Sequence, residues 1–263
     1  MFMSFTTCSD ASVAAAFLAS SGGNVESAVQ SFFERGGVPP AAAAAAPVPA
    51  RWTTTATSSQ FSFGARGKSS CTSMAICACA RLICRAEAIG VVSAATLDAI
   101  VADGVAAYVA NPLAASGGAP HMSFGEAFAG GSDAGAAFST TLSVHCELHG
   151  SCSDAFAFLA ATIVPLAEAR RHAVGVVITK PPESVAVVVS ENGSAIVLDS
   201  HPRSHLGAQY AQATALGFAT ATDAAHWLSR IFPPMDLSDC DPGVAYMYNA
   251  YDAAVLVASA PAT

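Results

Sequence analysis

Residues 184–203 restrict the fold of this chain more than any other stretch. Ser184-Val185-Ala186-Val187-Val188-Val189-Ser190 is joined to Ala195-Ile196-Val197-Leu198-Asp199 through Glu191-Asn192-Gly193-Ser194. Two β-branched runs around Asn-Gly predict an antiparallel hairpin, because Asn-Gly supplies the positive φ angles that a tight turn requires. The second run continues as Asp199-Ser200-His201-Pro202-Arg203. Side chains two apart on a strand share a face, so Asp199 and His201 are expected side by side. A carboxylate there can fix the imidazole tautomer, making His201 a candidate general base. The same residues would also suit the solvated end of a hairpin with no chemistry.

Charge narrows the partners. Only 11% of residues are charged, and the net charge of −8 reflects a scarcity of Lys and Arg. Nucleic acid is bound by clustered cations, so it is not an expected partner. No window reaches the ~18 uncharged apolar residues of a membrane span. The apolar stretch from Ala155 to Ala167 is too short and contains Pro165. No cationic region precedes the first apolar stretch, so no signal peptide is expected. The cysteines at 8, 71, 77, 79, 84, 146, 152 and 240 are then expected as free thiols in the cytoplasm or nucleus.

Residues 1–37 predict a small helical unit. Val13, Ala16, Phe17 and Leu18 fall at helical spacing after Ser9 or Asp10 as N-cap, and Val25, Ala28, Val29, Phe32 and Phe33 repeat it after Ser21-Gly22-Gly23-Asn24. With the apolar Met1–Phe5 in front, a three-helix bundle is expected. Residues 38–59 are rich in Pro, Ala, Thr and Ser and predict a flexible or partly extended linker. The main domain is expected over 60–263.

In that domain Gly67-Lys68-Ser69-Ser70 leads into a small-residue helix expected from Cys71 to about Ile89. A thiol at a helix N-terminus is pulled towards thiolate, the reactive form, so Cys71 is a candidate nucleophile. It could instead be one more buried small thiol, as expected of Cys77, Cys79 and Cys84. Gly67-Lys68-Ser69 is not a phosphate loop, since the glycine required five residues earlier is Ser62. Neither the three helix cysteines nor His145-Cys146-x-x-His149-x-x-Cys152 has a common zinc spacing.

A helix is expected over Ala94–Val109, with Leu97, Ile100, Val101, Val105 and Tyr108 on one face. Another helix is expected to begin near His121–Phe128, and Phe138–His149 is ambiguous. An amphipathic helix is expected over 154–171, a strand over Ala173–Thr179, a helix over Asp223–Phe232 and one or two closing strands over Val244–Ala258. Helices followed by an antiparallel sheet make an α+β layout. His121, His145 and His149 are read as surface or core histidines.

Two resemblances follow. Ala14–Leu18 with Ser21-Gly22-Gly23-Asn24-Val25-Glu26 and Ala28-Val29-Gln30-Ser31-Phe32-Phe33-Glu34 resembles the UBA-like ubiquitin-binding fold. Thr7-Cys8-Ser9 stands where strong ubiquitin binders of that family carry a Met-Gly-Phe type loop. A Cys at a helix start and a His on a late strand resemble papain-like cysteine hydrolases. Asp-x-His on one strand narrows the likeness to viral-tegument-like deubiquitinases, relatives of the herpesvirus tegument enzymes. Gln60, Ser69-Ser70-Cys71-Thr72-Ser73 and Leu198–Arg203 carry it. The resemblance implies a papain-like domain that hydrolyses the bond after the ubiquitin C-terminal glycine, with no metal or cofactor. It implies Cys71 as nucleophile, His201 as base, Asp199 as its orienting acid and Gln60 in the oxyanion hole, where Ser58, Ser59 or Ser62 could also stand. It implies ubiquitin or polyubiquitin as partner. A hydrolase for another ubiquitin-like modifier and an inactive ubiquitin-binding adaptor stay open beside it.

Overall fold

A computed structural model describes residues 29–30, 32–33, 50–83, 90–115, 121–129, 141–237 and 241–259. Seven strands form one sheet: β1 (Trp52–Thr55), β2 (Leu142–Ser151), β3 (Val174–Lys180), β4 (Glu183–Val189), β5 (Ala195–Asp199), β6 (Thr214–Phe218) and β7 (Ala250–Ala258), in the order β1-β6-β5-β4-β3-β7-β2. The expected hairpin is β4–β5, antiparallel with Ala186 opposite Leu198 and Val189 opposite Ala195. Gly193 takes a φ of 78° in its turn. Strands β3, β4 and β5 are buried along almost their whole length, which is why they read as continuous apolar runs. Each fully buried Val, Ile or Leu there contributes roughly 1.5–3 kcal/mol. Asp199 therefore ends a fully buried interior strand of the sheet.

Among the described residues the main helices are α1 (Cys71–Ile83), α2 (Ala94–Ala110), α3 (Phe124–Ala129), α4 (Val164–Arg170), α5 (Ala221–Ile231) and α6 (Pro242–Asn249). The run Cys71–Cys79 of α1 is wholly buried, so its small side chains are a packing requirement. Gly175 of β3 shows how close α1 lies to the sheet. A Cβ added there would stand 2.5 Å from Ile83 Cδ1 and 2.8 Å from Cys79 Sγ. The expected face of α2, from Leu97 to Tyr108, is buried.

The chain divides into two compact units: residues 1–49, 150–157 and 225–250, and residues 50–149, 158–224 and 251–263. In the first, the Phe156 and Phe232 rings pack 6.3 Å apart, and the Asn249 amide brackets the Met235 backbone at 2.7 and 3.0 Å. Val29, Gln30, Phe32 and Phe33 are helical, with Phe32 buried. The rest of the expected three-helix bundle and residues 38–49 of the expected linker lie outside the described residues. No helix among the described residues is long and apolar enough to cross a membrane.

Several expectations need correction. Residues 52–55 are not linker: Trp52-Thr53-Thr54-Thr55 pair antiparallel with β6 as an edge strand. Threonine is β-branched, and a waiting strand edge outweighs a loop-like composition. A strand therefore precedes α1 and the helices after it. The ambiguous 138–149 stretch overlaps β2 from Leu142 on, the edge strand at the other end of the sheet, half-solvated and so weakly patterned. The helix expected over 154–171 is broken. Ala155 and Phe156 adopt left-handed φ angles, and a π-helical turn over Leu159–Ile163 precedes α4. Pro165 has no N–H to donate and displaces the regular pattern. Residues 242–249 are α6 and not strand, because Asp241 caps the helix through Gly243 N at 2.8 Å and Pro242 occupies its first turn.

Candidate active site

The described cysteines divide by environment. Cys71, Cys77, Cys79, Cys146 and Cys152 are all free. Burial pushes Cys77 up to about 12 and Cys79 higher still, so both stay thiols. Cys71 is as buried, at 2% exposure, yet its pKa falls from 9.0 to about 6. Burial raises it, but side-chain hydrogen bonds from His121 and then His201, the charge of His201, and the Ser184 backbone more than offset that. Cys71 is the first residue of α1, so its own N–H has no acceptor within the helix.

The loop before Cys71 is shaped by Gly67. A Cβ there would lie 1.8 Å from the Gln60 carbonyl oxygen, so only glycine lets the two segments cross. Ser70 Oγ donates to Gly67 O at 2.6 Å and closes the turn. After the nucleophile, Thr72 Oγ1 donates to Met122 O at 3.0 Å and meets Ser184 Oγ at 2.9 Å. The sulfur itself stands 3.8 Å from Pro182 O. Helix start, β3–β4 turn and the 121–122 segment thus converge on one thiol.

The base is fixed as tightly. His201 Nδ1 is 2.7 Å from Asp199 Oδ1, and the same oxygen accepts from His201 N at 2.9 Å. The strand spacing therefore does bring carboxylate and imidazole together. Asp199 Oδ2 accepts from Arg203 Nε at 2.8 Å, and Arg203 donates to Glu183 Oε2 at 2.5 Å. Burial would raise Asp199, but the Arg203 charge and then His201 hold it well below the carboxylate range. Burial would lower His201, but Glu183 and then Asp199 bring it up to about 10. The two shifts run in opposite senses, Cys71 towards thiolate and His201 towards imidazolium. The Phe61 ring stands 6.4 Å from the His201 ring.

Gln60 arrives from β1. Thr57 N, Thr57 Oγ1 and Ser58 Oγ donate to Asp98 Oδ1 on α2 at 2.9, 3.0 and 3.2 Å, and Gln60 N donates to Ser200 O at 3.2 Å. The Gln60 side chain is buried between the two halves of the site. Its Oε1 accepts from Ser200 Oγ at 2.9 Å, and its Nε2 donates to Lys68 O at a long 3.4 Å. Ser200 thus fixes which edge of the amide carries the N–H groups.

His121 is exposed, as the sequence predicts for a surface histidine, and favours the Cys71 thiolate. Two contributors escaped the sequence reading. Ser184 was read only as a hairpin residue, and Glu183 was not singled out. Only the chain reversal at Pro181-Pro182 could have signalled that residues starting β4 reach the start of α1. His149 pairs with Asp252 at 2.6 Å on an exposed surface, and among the described residues no group of three metal-binding side chains forms.

Comparison with known proteins agrees with this architecture. Residues 2–39 match the UBA-like domain family, so the chain carries a UBA-like domain at its N-terminus. No curated protein matches the chain. Among solved structures, it is similar to the ubiquitin-specific protease encoded by murine cytomegalovirus tegument protein M48, solved with a ubiquitin-based suicide substrate. The two share 16% identity over 81% of this chain and 88% of that one, with a TM-score of 0.57. At that identity the likeness is one of fold, and the mixed helical and antiparallel-sheet domain has the fold of that viral protease.

Proposed function

We propose that the chain is a deubiquitinase that hydrolyses the peptide or isopeptide bond after the ubiquitin C-terminal glycine. One observation carries the reading: a buried thiol at a helix start meets an imidazole that a buried carboxylate holds at 2.7 Å. Cys71 is the nucleophile, His201 the proton carrier and Asp199 its orienting acid. The 2% and 5% exposures of Cys71 and His201 favour a slender substrate, such as a glycine-ended protein tail, over a folded surface. The fold shared with a viral ubiquitin-specific protease and the UBA-like match point to the same tail.

In the reaction the Cys71 thiolate attacks the carbonyl carbon. The Cys71 N–H and the Gln60 amide stabilise the oxyanion that forms. His201 gives its proton to the leaving amine as the C–N bond breaks, leaving a thioester. Water then attacks the thioester, His201 takes a proton from it, and a carboxylate and the free thiolate result. The UBA-like domain binds a second ubiquitin of the chain and raises its local concentration at the site.

A ubiquitin probe ending in a thiol-reactive electrophile tests this. Covalent labelling of the full chain, lost in Cys71→Ala, is expected. Labelling only by the probe of another ubiquitin-like modifier would redirect the reading to that modifier. Reversible binding without labelling would make the chain an adaptor.

A further inference from the structure

Asp199 is not a lone anion behind His201. Arg203, 4% exposed, shares its carboxylate, so the Asp199–Arg203 pair has a formal charge of zero. On that side the buried His201 ring faces no net negative charge, its counter-ion being the Cys71 thiolate in front of it. The next group outward adds one negative charge behind the ring. Glu183, with its side chain 18% exposed, accepts from the far side of the same guanidinium at 2.5 Å. Its place follows from the β3–β4 turn, where it pairs in register with Lys180. Pro182 before it meets the Cys71 sulfur, and Ser184 after it bonds Thr72. One tripeptide thus spans from the nucleophile to the guanidinium behind the base.

We propose that Glu183 is a positioning residue of this site: through Arg203 it anchors Asp199 and supplies the net negative charge that the Asp199–Arg203 pair lacks. The inference rests on the hydrolase reading of Cys71 and His201. The charged and titratable groups concerned are Asp199, Arg203, Glu183 and Cys71, with His121 on the thiol and Lys180 opposite Glu183. Burial lowers His201, and the charge of Glu183, the charge of Asp199 and the Asp199 hydrogen bond raise it.

Glu183→Gln keeps the shape and an oxygen that accepts from Arg203, and removes only the charge. The His201 imidazole is titrated by NMR in full-length protein carrying Cys71→Ser, with the resonance assigned by its loss in His201→Gln. The midpoint is expected to fall by about one pH unit or more in Glu183→Gln and to be retained in Glu183→Asp. In the Glu183→Gln/Arg203→Gln double variant it is expected to return towards the starting value, because Asp199 regains its unshared charge. An unchanged midpoint in Glu183→Gln, even with a lowered melting temperature, would reduce Glu183 to a structural role and overturn the proposal. So would a double variant that stays as low as the single one, or a fall in Glu183→Asp as large as in Glu183→Gln. Absence of ubiquitin-probe labelling would sink the hydrolase reading instead, and the titration reads the charge relay independently of it.

Discussion

Replacing Asp199 by Asn removes one charge and hardly any volume, which isolates the orienting role of the carboxylate. Both carboxylate oxygens are occupied by donors: Oδ1 by His201 N and Nδ1, Oδ2 by Arg203 Nε. An amide has one oxygen and one NH2. If the oxygen turns to Arg203, the NH2 confronts the His201 N–H, and the ring must give up its Nδ1 proton. The remaining proton then lies on Nε2, and the neutral ring can no longer accept one from Cys71 or hold it as an imidazolium. If the oxygen turns to His201, the NH2 confronts a buried guanidinium. Two hydrogen bonds from His201 to a charged acceptor are at stake, at about 1.5–3 kcal/mol each. Their loss, roughly 3–6 kcal/mol, corresponds to about 10²- to 10⁴-fold in rate at 1.36 kcal/mol per decade. The assay compares kcat/KM for a fluorogenic C-terminal ubiquitin amide with the Kd for ubiquitin, each with and without Asp199→Asn, the Kd in a Cys71→Ala background. Turnover should fall by that factor while binding stays within a few-fold. An equal loss of turnover and binding would refute the orienting role.

Further predictions concern pH and packing. His201, raised to about 10, contributes stability that is complete below its unfolded pKa near 6.5 and lost as pH climbs through 10. Cys71, lowered from 9.0 to about 6, contributes stability present above 9 and lost as pH falls through 6. The two slopes oppose each other over roughly pH 6.5–9, so Cys71→Ser should expose the His201 slope, up to about 1.4 kcal/mol per pH unit. Thermal melts across that range should show stability falling with rising pH in the variant, and a flat profile would contradict the imidazolium assignment. His121→Ala removes a hydrogen bond that favours the thiolate, so the onset of iodoacetamide alkylation at Cys71 should move to higher pH; an unmoved onset would exclude His121 from the site. Gly67→Ala places a Cβ 1.8 Å from Gln60 O, and the forced displacement should cost about 10²-fold in kcat/KM; full activity would mean that the 60–67 crossing is not needed. Gly175→Ala overpacks Ile83 and Cys79 under α1 and should destabilise by about 1–3 kcal/mol in urea melts, which an unchanged midpoint would refute.

Legibility in the sequence follows the range of the interactions. The β4–β5 hairpin, the buried face of α2 and the Asp199–His201 pairing were readable because strand and helix periods are local and strong. Residues 52–55 and 242–249 misled because short polar or aromatic stretches take their state from a neighbour: a sheet edge in one case, a capping Asp241 in the other. The weak alternation of 138–149 had the same origin, since an edge strand is only partly covered. The bond from Thr72 to Met122 O, 50 residues on, has no local signal at all.

The order of residues by itself determined which groups are chemically able: a cysteine at a helix start, and a carboxylate and imidazole two apart at the end of an apolar strand. Both are consequences of backbone geometry over a few residues. Only the tertiary structure decided that Gln60 bonds to Ser200 beside His201, and that Arg203 links Asp199 to Glu183. Contacts between residues more than a hundred positions apart depend on which strand lies beside which, and on how closely α1 can approach the sheet. Burial then sets the electrostatics, since the same charges in water would barely perturb one another.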